Sequence, residues 1–135
     1  MVCLLRGIVS VMGNKLALMT GGFLLTAAVT AIAAEPQIDS AKAPLYIGKS
    51  VMACGTVAEI NHMPNRHYIN FDKKNPNQSL TALVWNKDYV WFEKRYGRMD
   101  SYVGKKMCVL GNITSTQSYL QINVTNPQFL RLPNR

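Results

Sequence analysis

The chain has 135 residues, 48% of them hydrophobic, with 15 Lys and Arg against 7 Asp and Glu. That length is one domain's worth and enough for a modest single core. The net charge of +8 favours polyanions (nucleic acid, acidic polysaccharide or anionic lipid) without choosing among them, and an ordinary solvated basic surface fits it equally well.

Residues 1–34 read as a targeting segment. Arg6 and Lys15 are the only charges before Glu35, and Leu16 to Ala33 is an apolar run that closes on Ala31-Ile32-Ala33. A charged start, an apolar centre and a small-residue end form a secretory signal. Met12 is a second candidate start, because a compact signal follows it. The alternative is an uncleaved anchor, since about 18 apolar residues approach a spanning length. Gly21-Gly22 and the cleavage-like end favour removal, which leaves no stable membrane insertion. Removal also takes out Cys3, Arg6 and Lys15, so 13 basic residues face 7 acidic ones and the net charge falls to +6. Cys54 and Cys108 remain. In a periplasmic or secreted chain that even count reads as a disulfide; two buried thiols are the alternative.

Residues 35–47 carry Pro and Ala with little periodicity and read as an extended leader to a domain over 48–135. Gly48-Lys49 opens a first strand, Ser50 to Ile60, in which Gly55 suggests a bulge or bend. A loop with Pro64 follows. Tyr68 to Asp72 alternates apolar with polar, Lys73 to Ser79 is turn-rich, and Leu80 to Trp85 is a third strand, so the pair makes a hairpin. Asn86 is the expected N-cap of a helix, with Asp88 in its first turn. Trp85, Tyr89, Phe92 and Tyr96 recur at helical spacing as a core stripe, and Gly97 stands where the helix ends. Gly104-Lys105 repeats the earlier opening before a fourth strand, Met107 to Ile113. After a polar loop, Tyr119 to Thr125 is a fifth strand with Leu120, Ile122 and Val124 on one face. Asn126-Pro127 ends it.

Five strands with a helix between the third and fourth is the element order of the OB-fold, an all-β, five-stranded Greek-key barrel. The runs GKSVMACGTVAEI, HYINFD, SLTALVW, VGKKMCVLGNI and YLQINVTNPQFL, together spanning Gly48 to Phe129, resemble bacterial OB-fold domains of the nucleic-acid-binding, tRNA-anticodon-domain-like class. The two cysteines and the targeting segment lie outside that pattern and suggest an exported branch. The resemblance implies that the first and fourth strands are neighbours, which puts Cys54 and Cys108 on adjacent strands. It also implies a ligand face across the second and third strands and the two loops beside them. With Ile69 and Phe71 pointing inward, Arg66, Tyr68 and Asn70 point out on that face. Lys73 and Lys74 flank the hairpin turn, and Tyr119 and Gln121 take the outer side of the fifth strand.

No catalytic constellation is visible. His62 and His67 have no cysteine or carboxylate pair to complete a metal site and read as surface histidines. Glu59, Asp72, Asp88, Glu93 and Asp100 are scattered, with no close pair for acid–base chemistry. Nothing calls for a cofactor. The expectation is an exported non-enzymatic OB-fold protein that binds single-stranded DNA or RNA through phosphate contacts and stacking. The alternative from a different class is an interaction module for an envelope protein or glycan partner.

Overall fold

The computed structural model describes residues 27, 28 and 34–133; the targeting segment expected over residues 1–34 lies, apart from residues 27, 28 and 34, outside the described residues. The longest strand, β2 (Ser50–His62), belongs to two pairings at once. Its first half runs antiparallel to β5 (Lys106–Ser115), from Ser50 opposite Asn112 to Thr56 opposite Lys106. Its second half runs antiparallel to β3 (Arg66–Phe71), from Val57 opposite Phe71 to His62 opposite His67. Between Val57 and Glu59 the register shifts, and such a bulge bends a strand and raises its twist. The bend expected at Gly55 therefore falls just after it.

From β3 the pairing continues antiparallel to β4 (Leu80–Trp85), then parallel to β6 (Leu120–Asn123), then antiparallel to β5. Because β5 also pairs with β2, five strands form a closed ring in which each has two neighbours. These are the five expected strands, and the first and fourth of them are adjacent as the resemblance implied. The sheet nevertheless has seven strands rather than five. β1 (Gln37–Asp39) adds in parallel to β2, and β7 (Leu130–Arg131) adds antiparallel to β5. Runs of three and two residues are too short to show a two-residue alternation, so neither was visible in sequence. Residues 35–47 are likewise not an extended leader: β1 leads into a 3-10 helix, Ser40–Tyr46, that buries Ala43 completely.

Alternation along the ring fills its interior. Val51, Ala53 and Val57 come from β2, Ile69 and Phe71 from β3, Leu80, Ala82 and Val84 from β4, Val109 and Ile113 from β5, and Ile122 from β6. Each large side chain withdrawn from water contributes roughly 1.5–3 kcal/mol. The helix α1 (Asn86–Tyr96) adds Tyr89 and Phe92 to that core, as the stripe predicts. Its N-cap is Trp85 and not Asn86, because the Asn86 amide is occupied by a bond to His67. Gly97, at φ 80°, ends the helix in a conformation that side-chain-bearing residues rarely adopt.

Two ties hold the closure. Cys54 and Cys108 stand directly opposite each other across β2 and β5 and form the disulfide, Cα to Cα 4.0 Å. Asp72, itself at φ 72°, accepts hydrogen bonds from Ser40 Oγ (2.5 Å), from Ser79 Oγ and from the Thr56 N–H (3.3 Å). That carboxylate joins the 3-10 segment to the β3–β4 turn. Gly55 is required beneath it, because a Cβ there would overlap Ser40 Oγ.

Replacing both cysteines (Cys54→Ser/Cys108→Ser) is expected to lower stability by about 2–4 kcal/mol, read as a shifted urea midpoint; an unchanged midpoint would contradict the role given to the bridge. Gly55→Ala should cost about 1–3 kcal/mol through overpacking and expose residues 37–46 to limited proteolysis while the ring stays folded.

Candidate ligand-binding site

Arg66 and Tyr68 are two apart on β3 and share its outer face, while His67 and Ile69 between and beyond them turn in. Tyr68 meets Tyr119 edge to face, ring centroids 6.3 Å apart. The Arg66 guanidinium lies 5.5 Å from the Tyr68 ring centre and 5.8 Å from that of Trp85, its cross-strand partner. Tyr119 is held by the β5–β6 turn: Thr116 donates to its carbonyl from both N–H (2.9 Å) and Oγ1 (2.8 Å), and Thr116 Oγ1 accepts from its N–H (3.2 Å). Burial raises the Tyr119 hydroxyl above the ordinary phenol range, and a hydrogen bond with Tyr68 adds to the effect. The pair therefore presents two phenol rings with a cation above one of them.

Beside the tyrosines lies a cavity of about 130 Å³, walled also by Asn61, Met63, Asn70, Asn75, Gln78 and Thr81. Its polar wall is organised by one carboxylate. Glu59 Oε2 accepts from the Asn75 N–H (2.7 Å), Asn70 Nδ2 (2.9 Å) and Asn61 Nδ2 (3.2 Å). Asn70 Oδ1 accepts from Thr81 Oγ1 (2.8 Å), whose oxygen accepts from Gln78 Nε2 (3.2 Å); Gln78 Nε2 also donates to Asn75 Oδ1 (3.3 Å). The Asn75 backbone bond is the main reason that Glu59 sits below the usual glutamate range. Asn70, Asn61 and the charge of Lys74 lower it further, and burial opposes them.

The structure brings together some of the expected site residues and separates others. Tyr68, Asn70 and Tyr119 line the cavity, and Arg66 stacks on Tyr68. Asn70 shares the outer side of β3 with Tyr68 but is covered there, only 2% exposed. The bulge in β2 sets Glu59 opposite Asn70, and that carboxylate covers it. Lys73 and Lys74 are exposed in the hairpin turn, and Gln121 lies between Thr81 and Thr114 in the sheet; none of the three lines the cavity. Asn61, Met63, Asn75, Gln78 and Thr81 do, and sequence reading missed them. Asn75 and Gln78 sit in a stretch whose composition signals only a turn, and Thr81 is placed by its register opposite Asn70.

The two histidines are also not simple surface residues. His67 is buried, stacks on Tyr89 at 3.6 Å, and binds Asn86 Oδ1 through Nε2 (2.9 Å). Its Nδ1 meets His62 Nδ1 at 2.7 Å, and His62 Nε2 meets Asp100 Oδ1 at 2.8 Å. This chain links the β2–β3 turn to α1 and to the 3-10 turn Met99–Tyr102. Among the described residues, no group of three or more His, Cys, Asp or Glu is placed to hold a metal ion. Larger cavities of about 560 and 630 Å³ border the end of α1, where Arg95 and, in the second, Lys94 line the wall. Cations there complement the helix dipole without any ligand.

The sequence matches no protein-family model and no curated protein. Its fold does have solved counterparts. OBody AM1L10, solved bound to hen egg-white lysozyme, superposes with a TM-score of 0.53 at 11% identity, over 78% of this chain and 100% of its own. OBody AM3L09, also bound to lysozyme, gives 0.53 at 12% identity, over 76% and 99%. A putative aspartyl-tRNA synthetase from Leishmania major Friedlin gives 0.51 at 11%, over 86% of this chain and 22% of that one. At such identities the likeness establishes fold alone: a mostly β, OB-like sheet with one helix.

Because Glu59 is held ionised, it stabilises the fold above its ordinary value of 4.5. That contribution is lost as pH falls from there through the lowered native value. Wild type should therefore lose thermal stability in that acid window more steeply than Glu59→Gln, whose slope there should be flatter. Parallel pH profiles would show Glu59 to be idle.

Proposed function

We propose that this protein is an exported, non-enzymatic OB-fold binding protein whose Tyr68–Tyr119 face holds single-stranded nucleic acid. The observation that carries the reading is the tyrosine pair with Arg66 stacked over Tyr68. Base stacking on an aromatic side chain is worth roughly 1–3 kcal/mol per base, and every base has a face to stack. Arg66, Lys73 and Lys74 supply cations for phosphates near that platform. The described ring of five strands, read as the Greek-key barrel, gives this face the position where OB-folds take oligonucleotides or oligosaccharides. The Cys54–Cys108 bridge supports an oxidising compartment, periplasmic or secreted. Among the described residues, no helix is long and apolar enough to cross a membrane.

A second reading is a module for a protein or glycan partner, of which the protein case is supported by the two fold neighbours solved with lysozyme bound. Fluorescence anisotropy of the disulfide-intact protein with labelled single-stranded DNA and RNA, at two salt concentrations, separates the two. The first reading expects affinity that falls steeply with salt, a loss of tenfold or more in Tyr68→Ala/Tyr119→Ala, and a shallower salt slope in Lys73→Ala/Lys74→Ala. Absence of binding, together with a nuclease-resistant partner captured from an envelope extract, would replace it with the second.

A further inference from the structure

Resting on the single-strand reading, we infer that the nucleic acid runs on past the tyrosine pair, over Arg66 and Trp85, into the cleft between α1 and the turn after β6. Trp91 is the second stacking platform there, and Lys94 and Arg95 meet the phosphates.

The register of the sheet lays out this path. Arg66 stands directly opposite Trp85, Tyr68 stands opposite Leu83, and Leu83 is level with Asn123 of β6. The pairing continues past Asn123, since the Val124 N–H donates to the Leu83 carbonyl (2.9 Å). Two residues beyond the Leu83–Asn123 pair, Thr125 comes level with Trp85 and Arg66. Ile122 and Val124 are buried while Asn123 and Thr125 are exposed, which sets Thr125 on the outer side of the sheet with Tyr68 and Arg66. From Arg66 to Thr125 is two strand spacings, about 10 Å. Thr125 and Asn126 are also the β6 side of the cleft, and Trp91, Lys94 and Arg95 are its α1 side. The cleft and the tyrosine face are therefore one surface.

The chemistry repeats along it. The Arg66 guanidinium lies 5.5 and 5.8 Å from the ring centres of Tyr68 and Trp85, and Lys94 Nζ lies 5.1 Å from that of Trp91. Rings and cations in alternation are what a single strand requires, rings for the bases and charges for the phosphates. Trp91 is 54% exposed, so the core leaves the largest side chain of α1 unused. The helix dipole accounts for Lys94 and Arg95 but not for that ring. Asp88 is a carboxylate against two cations in the cleft wall, which keeps a net positive charge. A lipid surface is the competing occupant, because Val90 beside Trp91 is also exposed. Val90 does not line the cleft, however, and Thr125 and Asn126 offer hydrogen-bonding groups that hydrocarbon cannot use.

The test is anisotropy of the disulfide-intact protein with labelled oligo-dT of about four and about twelve nucleotides, within the range of OB-fold site sizes. Trp91→Ala should weaken binding of the longer by about fivefold or more, the worth of one stacked base. It should bind the shorter as wild type does, which also shows that the variant is folded. Lys94→Ala/Arg95→Ala should lower the salt slope for the longer by roughly 1.4, two phosphates at about 0.7 each, and leave that of the shorter unchanged. Trp91 emission, taken as the difference between wild type and Trp91→Phe, should be quenched by the longer oligonucleotide only. Wild-type affinity for the longer in Trp91→Ala, or Trp91 emission that the longer leaves unmoved, overturns this inference while the single-strand reading stands. A blue shift of that emission on phosphatidylglycerol vesicles, with no quenching by either oligonucleotide, replaces the inference with a lipid surface. Failure of wild type to bind either oligonucleotide overturns the single-strand reading, and the inference falls with it.

Discussion

The antiparallel pairing of β2 with β5 is the constraint on which everything else depends. Seven residues of β2, Ser50 to Thr56, are matched in register to β5, with the disulfide near the middle. This pairing turns a meander of strands into a closed ring and seals Val51, Ala53 and Val109 away from water. Past the seam β2 must leave β5 and join β3, and the bulge between Val57 and Glu59 accomplishes the change. The site inherits its geometry from that step. A straight β2 would carry Glu59 elsewhere, and Asn70 would have no carboxylate to face.

The cavity wall shows how one partly exposed anion can order several neutral groups. Amides and hydroxyls are ambiguous by themselves, since each can donate or accept. A carboxylate removes the ambiguity from its neighbours, and they remove it from theirs. The three bonds from Asn61, Asn70 and the Asn75 backbone also offset the cost of partly desolvating the charge. Networks of this kind are cooperative and rigid when complete. The hydrogen bonds restrict the side chains of Asn61, Asn70, Gln78 and Thr81.

Much of the fold was legible in the sequence because closed β-rings have a strong period. Strands such as Arg66–Phe71 and Leu80–Trp85 declared themselves by apolar runs broken at a polar turn, and Tyr89 and Phe92 by helical spacing. Cys54 and Cys108 could be placed on neighbouring strands once the element order was known. Their bridging depended on register, which composition does not encode. The candidate site was legible only in part. Tyr68 and Tyr119 stood out as aromatics at outward positions. Asn70 followed the same alternation, but its burial was not legible, since a bulge on a different strand sets the carboxylate that covers it. Gln78 and Asn75 were invisible because a turn-rich run looks the same whether or not its amides are wired to a carboxylate sixteen residues earlier in the chain. His62 and His67, five apart in sequence, gave no hint that a hairpin would set their rings face to edge.

The two short strands that sequence reading overlooked have a consequence for how the molecule behaves in company. A ring of strands has no free margin, but a sheet extended beyond the ring does. Here the margins are β1, three residues long, and β7, two residues long. Open margins recruit strands from other molecules, and very short ones give too few main-chain bonds to hold a visitor. Pro36 precedes the first, and Pro133 follows shortly after the second, and proline cannot donate to a growing ladder. The fold thus ends its sheet in stubs that resist amyloid-like stacking, a useful property for a domain this rich in β-structure.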